Sequence, residues 1–249
     1  MSESITAAVL VIGDEILSGR TQDTNTHYIA RLLGTLGIDM REARVVPDVE
    51  AEIVAAVNAL RARYTYVFTT GGIGPTHDDI TADAIAAAFG VGIDYHPEAM
   101  AMLAARYQPG EFNEMRQRMA RIPDTATLVK NSASTAPGFQ IGNVFVMAGV
   151  PMVMRAMMED IAPRLKKGVI VTTATVSARI AEGRIAGPLA KIQAENESVV
   201  IGSYPFYTAD GYGVQLVVRG RDAASVEAAA AQIELAIRAE GLSPERISS

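Results

Sequence analysis

The segment TTGGIGPTHDDIT places three glycines and two adjacent aspartates in one loop. Gly71, Gly72 and Gly74 can adopt positive φ angles and let backbone N–H groups approach an anion closely, and a following helix N-terminus favours negative charge. Asp78 and Asp79 would repel a phosphate here unless a divalent cation lay between the charges or the acids were protonated. Magnesium, which is coordinated by carboxylates, phosphates and water, reconciles the two sets of residues. The loop therefore predicts a site for a phosphate or pyrophosphate with Mg²⁺.

The two aspartates also have a purely structural interpretation. A helix is predicted to begin near Ile80, and aspartate is among the best N-cap residues. One aspartate would suffice as a cap, so the second favours a further role. The loop does not match the dinucleotide pattern G-x-G-x-x-G, because His77 stands where the third glycine is needed, and it has no lysine for a P-loop. No G-x-S-x-G nucleophile elbow occurs in the sequence, which argues against a serine hydrolase of the α/β type.

A second polar loop, in VIGDEILSGRTQDTN, follows the first apolar run of the chain. Its acids, Asp14 and Glu15, have the chemistry to bind a metal ion or ribose hydroxyls, and Arg20 can form a forked hydrogen bond to a phosphate. The alternative is an ordinary polar loop in which Asp23 or Thr24 caps the next helix.

Two further loops follow predicted strands. Asp48 lies in VVPDVE, where capping the helix that begins at Glu50 explains it as well as a functional role does. The segment VFVMAGVPMVM contains Gly149 and Pro151 between a strand and a helix. If the strands are parallel, these glycine-rich loops meet at the carboxyl edge of the sheet, where open α/β folds bind their ligands.

Short β-branched runs alternate with helical segments, which predicts a mainly parallel sheet with helices on both faces. The middle of the chain is less regular, with predicted helices at 97–107 and 113–121 and a hairpin at 138–147 that turns at Gly142-Asn143. The composition changes near Lys166-Lys167-Gly168. We therefore predict one domain over residues 1–167 and a small α+β domain, in the order β-α-β-β-α, over 168–249.

Composition excludes several classes of protein and site. The 249 residues include no cysteine, so disulfides and thiolate zinc sites are excluded, and the three histidines are too far apart for a local zinc motif. The net charge of −6 is interspersed and offers no basic stripe for nucleic acid or anionic lipid. No apolar stretch approaches the length of a membrane span. We expect a soluble, cytoplasmic protein whose partners are small ligands or other proteins.

Three segments resemble the signature sequences of the CinA family (competence/damage-inducible protein A): VIGDEILSGRTQDTN, TTGGIGPTHDDIT and STAPGF. The G-G-x-G-P-T-x-D-D-[LI]-T stretch is highly specific. The segment VVIGSYPF near residue 200 resembles the small α/β region that follows the binding domain in that family. The resemblance covers nearly the whole chain but not the C-terminal amidohydrolase domain of longer members, so we do not expect their activity on nicotinamide mononucleotide.

The resemblance implies a three-layer α/β/α, MoaB/Mog-like molybdopterin-binding fold. It also implies a homo-oligomer of two or three subunits and a site for a phosphorylated pterin or an adenine nucleotide. Asp79 matches the aspartate that serves adenylyl transfer to molybdopterin in Mog-like relatives, and Asp48 matches the acid that they place near the metal and pyrophosphate. With Asp78, these are our candidate catalytic and metal-binding residues. The candidate ligand-binding residues are Gly13, Asp14, Glu15, Ser18, Arg20, Asn25, Gly71, Gly72, Gly74, Thr76, Gly149 and Pro151.

The same resemblance implies a reaction, because CinA-type relatives are associated with metal-dependent cleavage of ADP-ribose and a related domain is fused to eukaryotic FAD synthases. Forming and cleaving a phosphoanhydride require the same kind of acidic, metal-loaded pocket. We therefore expect a pyrophosphatase for ADP-ribose-like substrates that uses Mg²⁺, Mn²⁺ or Co²⁺. The alternatives are a non-catalytic pterin- or nucleotide-binding module and an adenylyl transferase of molybdenum cofactor synthesis.

Overall fold

The computed structural model describes residues 4–108, 110–208 and 211–247. The chain divides into two compact units, Met1–Gly168 and Val169–Ser249. Within the described residues we find no helix that has both the length and the apolar composition needed to cross a bilayer.

The first unit contains both strands and helices. In chain order they are β1 (Thr6–Ile12), α1 (Asp14–Leu17), α2 (Asn25–Thr35), β2 (Asp39–Val46), α3 (Glu50–Arg63), β3 (Tyr66–Thr70), α4 (Thr81–Phe89), β4 (Ile93–Tyr95), α5 (Pro97–Ala104), α6 (Glu114–Gln117), β5 (Arg121–Pro123), β6 (Thr127–Val129), β7 (Gly138–Ile141), β8 (Val144–Met147) and α7 (Pro151–Ile161).

Six of these strands form one sheet in the order β2-β1-β3-β8-β7-β6. The four strands β2, β1, β3 and β8 are parallel, and β7 and β6 are added antiparallel at one edge. The carboxyl ends of β1, β3 and β8 therefore lie side by side. This arrangement confirms the predicted mainly parallel sheet.

Both faces of the sheet are covered, as the apolar sequence of β1 predicts. Successive residues of a strand point to opposite faces. Accordingly, Leu10 and Ile12 enter a core shared with α3 and α4, whereas Val9 and Val11 enter a separate core shared with α2 and α7. The predicted three-layer α/β/α fold is thus confirmed.

Aromatic and methionine side chains fill the second of these cores. The rings of Phe68 on β3 and Phe145 on β8 stack with their centroids 5.3 Å apart. Met154, Met157 and Met158 on α7 are fully buried against the same face of the sheet. Methionine suits this role because its flexible side chain adapts to irregular gaps.

The segment between α4 and β7 differs from the sequence-based prediction. A single helix was expected over 113–121, but the structure has the short helix α6, a 3₁₀ turn at 118–120 and the strand β5, which pairs with β4. Proline at position 123 lacks the N–H that a continuing helix requires, and Asn113 caps α6 by accepting a hydrogen bond from the Arg116 N–H. The hairpin of β7 and β8 turns at Gly142-Asn143 as predicted.

The second unit is a small α+β arrangement. It comprises β9 (Thr172–Ala178), α8 (Glu182–Glu195), β10 (Val199–Thr208), β11 (Gly211–Gly220), α9 (Ala223–Ala239) and β12 (Glu245–Ile247). Its antiparallel sheet has the order β10-β11-β9-β12, and both helices contribute to its core. The predicted β-α-β-β-α order is observed, and β12 is an additional strand that the short sequence ERI did not predict.

Candidate functional site

Three loops at the carboxyl edge of the parallel sheet are tied together by hydrogen bonds. Asn25, at the start of α2, donates from Nδ2 to the Gly149 carbonyl at 2.7 Å. The Gly71 N–H donates to the carbonyl of Met147 at 3.1 Å. The Thr81 hydroxyl, which is buried, donates back to the Gly71 carbonyl at 3.0 Å. The loops after β1, β3 and β8 therefore form one structure.

The glycines of the loop after β3 lie close to neighbouring backbone and side-chain atoms. Gly71 and Gly72 have φ angles of 106° and 67°, which side chains other than glycine rarely adopt. A Cβ atom on Gly71 would overlap the carbonyl oxygen of Ile12, and one on Gly72 would overlap the Thr81 hydroxyl. At Gly74 a Cβ atom would lie 2.6 Å from the Asp79 carboxylate. Each glycine thus allows an approach that a side chain would prevent.

The backbone N–H groups of this loop fall into two sets. Gly71 N–H is used within the protein, since it donates to the carbonyl of Met147. The N–H groups of Gly72, Ile73 and Gly74 donate to no group among the described residues. Three successive N–H groups are thus free to bind an anion.

Asp79 is held in a fixed position beside these groups. Its Oδ2 accepts a hydrogen bond from the Thr76 N–H at 2.8 Å, and the Thr76 hydroxyl donates to the same oxygen. The N-cap residue of α4 is Ile80, and no side chain caps this helix. The proposed cap is therefore wrong for both aspartates. Asp78 is exposed, and the side chain of Thr76 lowers its pKa.

The three loops open onto a cavity of about 610 Å³, within the size range of small-molecule sites. Seven of the residues expected to bind ligand or metal line it: Glu15, Gly71, Gly72, Gly74, Asp79, Gly149 and Pro151.

Other expected site residues lie outside this lining: Gly13, Asp14, Ser18, Arg20, Asn25, Asp48, Thr76 and Asp78. Asn25 lines a smaller adjoining cavity that also touches Glu15 and Gly71. Ser18 donates its hydroxyl to the Glu15 carbonyl at 3.3 Å, and Arg20 is exposed. Ser18 therefore supports the loop after β1 and Arg20 lies exposed in it. Neither residue is part of the cavity wall.

Asp48 joins the loop after β2 to the loop after β1. Its Oδ2 accepts a hydrogen bond from the Asp14 N–H at 3.0 Å. The N-cap residue of α3 is Val49, so the capping role is wrong here too. Burial raises the pKa of Asp48, the hydrogen bond from Asp14 opposes this, and the negative charges of Asp14, Glu15 and Asp78 raise it further. Four acids therefore repel one another at this end of the sheet.

The two acids that line the cavity, Asp79 and Glu15, suit a cation that a bound ligand helps to coordinate. Among the described residues, no group of three or more histidine, aspartate or glutamate side chains is arranged to hold a metal ion by itself. Magnesium is usually bound by one or two carboxylates together with substrate phosphates and water. Asp79 and Glu15 line the same cavity as the three free N–H groups, so the donor set fits a divalent cation bound jointly with a phosphate.

Part of the cavity wall was not identified from the sequence. It includes Leu103, Arg106, Tyr107, Met119 and Ser134–Ala136. Ser134–Ala136 belong to the segment STAPGF, which resembles a family signature, so the sequence did contain a signal for these three residues. Arg106 and Tyr107 follow α5 in a stretch that contains no motif. They reach the cavity wall only because residues 97–108 and 110–136 fold beside the glycine loop.

Comparisons with known proteins cover both units. Residues 8–167 match the family described as "Probable molybdopterin binding domain", and residues 170–246 match "FAD synthase, middle domain". A CinA-like protein of Syntrophotalea carbinolica is 37% identical over 169 residues, which cover 65% of this chain and 41% of the relative. A probable FAD synthase of Caenorhabditis elegans is 31% identical over 255 residues, which cover 92% of this chain and 49% of the relative. The chain thus spans less than half the length of these two relatives.

A solved structure agrees with the fold of the first unit. The crystal structure of the protein CinA from Thermoplasma acidophilum, described as having unknown function, is 32% identical. It superposes with a TM-score of 0.61 and covers 65% of this chain and 98% of that protein.

Replacing Gly71 by alanine is expected to destabilise the protein strongly. The new methyl group would overlap the Ile12 carbonyl, and the backbone would be strained at its positive φ, so we expect a loss of unfolding free energy above about 2 kcal/mol. Gly90→Ala is the control, because Gly90 also has positive φ but a Cβ there meets nothing within 4 Å. Denaturant unfolding measures both variants. Equal losses would show that the close contact is unimportant.

Asp48→Asn is expected to make the protein more stable at pH 7. A raised pKa means that the folded state binds the Asp48 proton more tightly than the unfolded state does, so stability is lost as pH rises from the ordinary carboxyl pKa through the folded value. Asparagine removes this titration and keeps an acceptor for the Asp14 N–H. The gain in unfolding free energy should disappear as the pH falls from the folded pKa of Asp48 to the ordinary carboxyl pKa. Denaturant unfolding at several pH values measures it. Glu159→Gln, an exposed change of the same kind, is the control measured at the same pH values.

Proposed function

The chain belongs to the family of probable molybdopterin-binding domains, and from this premise we propose that its cavity binds a phosphorylated pterin or an adenine dinucleotide. We further propose that the protein is a divalent-metal-dependent pyrophosphatase that acts on ADP-ribose-like substrates. The similarity of nearly the whole chain to a probable FAD synthase supports a nucleotide-related role.

The observation that carries this proposal is the position of Asp79. Its carboxylate is fixed by the N–H and hydroxyl groups of Thr76 and lines the cavity beside the free N–H groups of Gly72 to Gly74. A group that binds phosphate and a group that binds a cation therefore share one wall.

Each part of the site has a role in this reaction. The N–H groups of Gly72, Ile73 and Gly74 hold one phosphate by charge-assisted hydrogen bonds. Asp79 is the main cation ligand in the proposal, with Glu15 as the second acid on the cavity. Asp48 and Asp78 lie outside the lining and add to the negative potential that attracts the cation. When bound, Mg²⁺, Mn²⁺ or Co²⁺ supplies charge neutralisation and an activated water.

The loop geometry also orients the substrate. Thr76 keeps Asp79 in place, so its carboxylate needs no rearrangement when the ligand arrives. Asn25 holds Gly149, which keeps the third loop against the other two. Such fixed positions favour catalysis because the reacting groups lose little further freedom during the reaction.

Asp79→Asn is expected to reduce the release of AMP from ADP-ribose by about a hundredfold or more, since a bound metal contributes several kcal/mol and about 1.4 kcal/mol corresponds to a factor of ten. Asparagine can still accept the hydrogen bonds of Thr76, so the fold should be retained. The measurement is AMP release with Mg²⁺, Mn²⁺ or Co²⁺ from ADP-ribose, NAD or FAD. Asp78→Asn makes the same change one residue away and should have a smaller effect.

Three outcomes would each contradict a part of this proposal. An Asp79→Asn variant with undiminished AMP release would exclude the role of this carboxylate. Tight binding of a pterin or AMP by the wild-type protein, with no product over hours, would support the non-catalytic module. ATP-dependent adenylylation of molybdopterin would support the transferase instead. The expected dimer or trimer stays a prediction that sedimentation can measure.

A further inference from the structure

Arg106 is a cationic side chain on the cavity wall that the proposed reaction does not yet use. It follows α5 and lines the same cavity as Asp79 and Glu15. Its guanidinium forms no hydrogen bond or ion pair with any residue that the structure describes. A free guanidinium beside a cavity is well suited to bind an anionic group in a forked geometry.

Two neighbouring arginines, Arg116 and Arg121, are engaged within the protein. The Arg116 guanidinium lies 4.4 Å from the centre of the Tyr107 ring and donates to the Glu111 carbonyl. Arg121 forms an ion pair with Asp83 at 2.7 Å. Arg106 therefore differs from both, because its charge is left available to a ligand.

Tyr107 gives the cavity a preorganised aromatic wall. Its ring stacks on Phe112 with the centroids 5.8 Å apart and the planes 10° from parallel, and Arg116 adds a cation–π contact. Leu103 and Met119 complete this apolar part of the lining. Such a surface suits a planar ring, because ligand sites combine apolar and aromatic walls with a few polar groups.

Thr135 adds a polar atom that lacks a partner. Its hydroxyl oxygen is buried without a hydrogen bond to any described residue, and Thr135 lines the cavity. Asn131 fixes the surrounding segment, since it donates to the Ala136 carbonyl at 2.8 Å and accepts from the Ser134 N–H. A buried polar group without a partner is destabilising, so a polar ligand atom would gain by bonding to it.

We propose that Arg106 is a specificity-determining residue that selects ligands with a second phosphate, namely nucleoside diphosphates and their derivatives, over monophosphates. The inference rests on the proposed function, because it concerns the same cavity. The N–H groups of Gly72 to Gly74 bind one phosphate and Arg106 binds the next, while the planar base lies against Tyr107 and its apolar neighbours. A pterin with a single phosphate would leave one of the two anion-binding groups unused. The site is therefore suited to dinucleotides rather than to a monophosphorylated pterin.

Calorimetry with ADP and AMP, at fixed Mg²⁺ and salt, tests this assignment. The wild-type protein should bind ADP more tightly than AMP. Arg106→Gln should weaken ADP binding by about tenfold or more and AMP binding by less than about threefold, because only ADP would lose a charge-assisted hydrogen bond. Arg106→Lys keeps the charge but loses the forked geometry, so its ADP affinity should be intermediate.

A matched control and a folding check accompany these variants. Arg31 is exposed on α2, and Arg31→Gln should leave both affinities unchanged. Thermal unfolding should show near-wild-type stability for the Arg106 variants, since the guanidinium forms no hydrogen bond or ion pair with a described residue. The selectivity between the two nucleotides is the decisive measurement, because a merely structural role for Arg106 would change both affinities alike.

The outcomes separate this inference from the proposed function. Equal weakening of ADP and AMP in Arg106→Gln, or a selective loss in Arg20→Gln instead, would overturn the inference and leave the pyrophosphatase intact. Selective binding of ADP over AMP, with no AMP released from ADP-ribose, NAD or FAD, would support the inference and contradict the pyrophosphatase. A wild-type protein that binds neither nucleotide would overturn both.

Discussion

The close approach of three strand ends is the constraint on which the site depends. Gly71 leaves the end of β3 so close to the Ile12 carbonyl that a Cβ on Gly71 would overlap its oxygen, and a Cβ on Gly149 would lie 3.3 Å from the Gly71 Cα. The Gly71 N–H and carbonyl are both used in holding neighbouring loops. The next three N–H groups donate to no group among the described residues and remain free for an anion. The binding surface is thus made by backbone that the sheet itself positions.

Unfavourable electrostatic interactions at the same end of the sheet also favour the binding of a ligand. Burial and three neighbouring acids raise the pKa of Asp48, which means that its ionised form is unfavourable in the folded protein. Functional sites commonly retain such unfavourable charges, because a ligand or cation relieves them on binding. Arg106, a cationic residue that lines the cavity, has no acidic partner among the described residues. Unfavourable negative charge at this end of the sheet and an unpaired guanidinium on the cavity wall suit a ligand that carries phosphates and a cation together.

The second unit has its own core and sheet and resembles the middle domain of FAD synthases. A molybdopterin-binding-type domain followed by this small domain also occurs within the probable FAD synthase of Caenorhabditis elegans, as the match over 92% of the chain shows. The residues of the candidate cavity all come from the first unit.

The sequence by itself determined the layered fold and the identity of the central loop. Strands such as β1 are apolar on both faces, helices end at glycines such as Gly90, and the Gly142-Asn143 turn sets the β7–β8 hairpin, so local patterns were sufficient there. Periodicity could not decide which of two adjacent aspartates faces the cavity, nor that Arg106 rather than Arg20 lines it. Those outcomes depend on contacts between residues far apart in the chain, such as Asn25 with Gly149, and on an irregular segment without a motif. Only the tertiary structure brings such groups together, because side-chain direction in a loop follows from the backbone path and not from residue type.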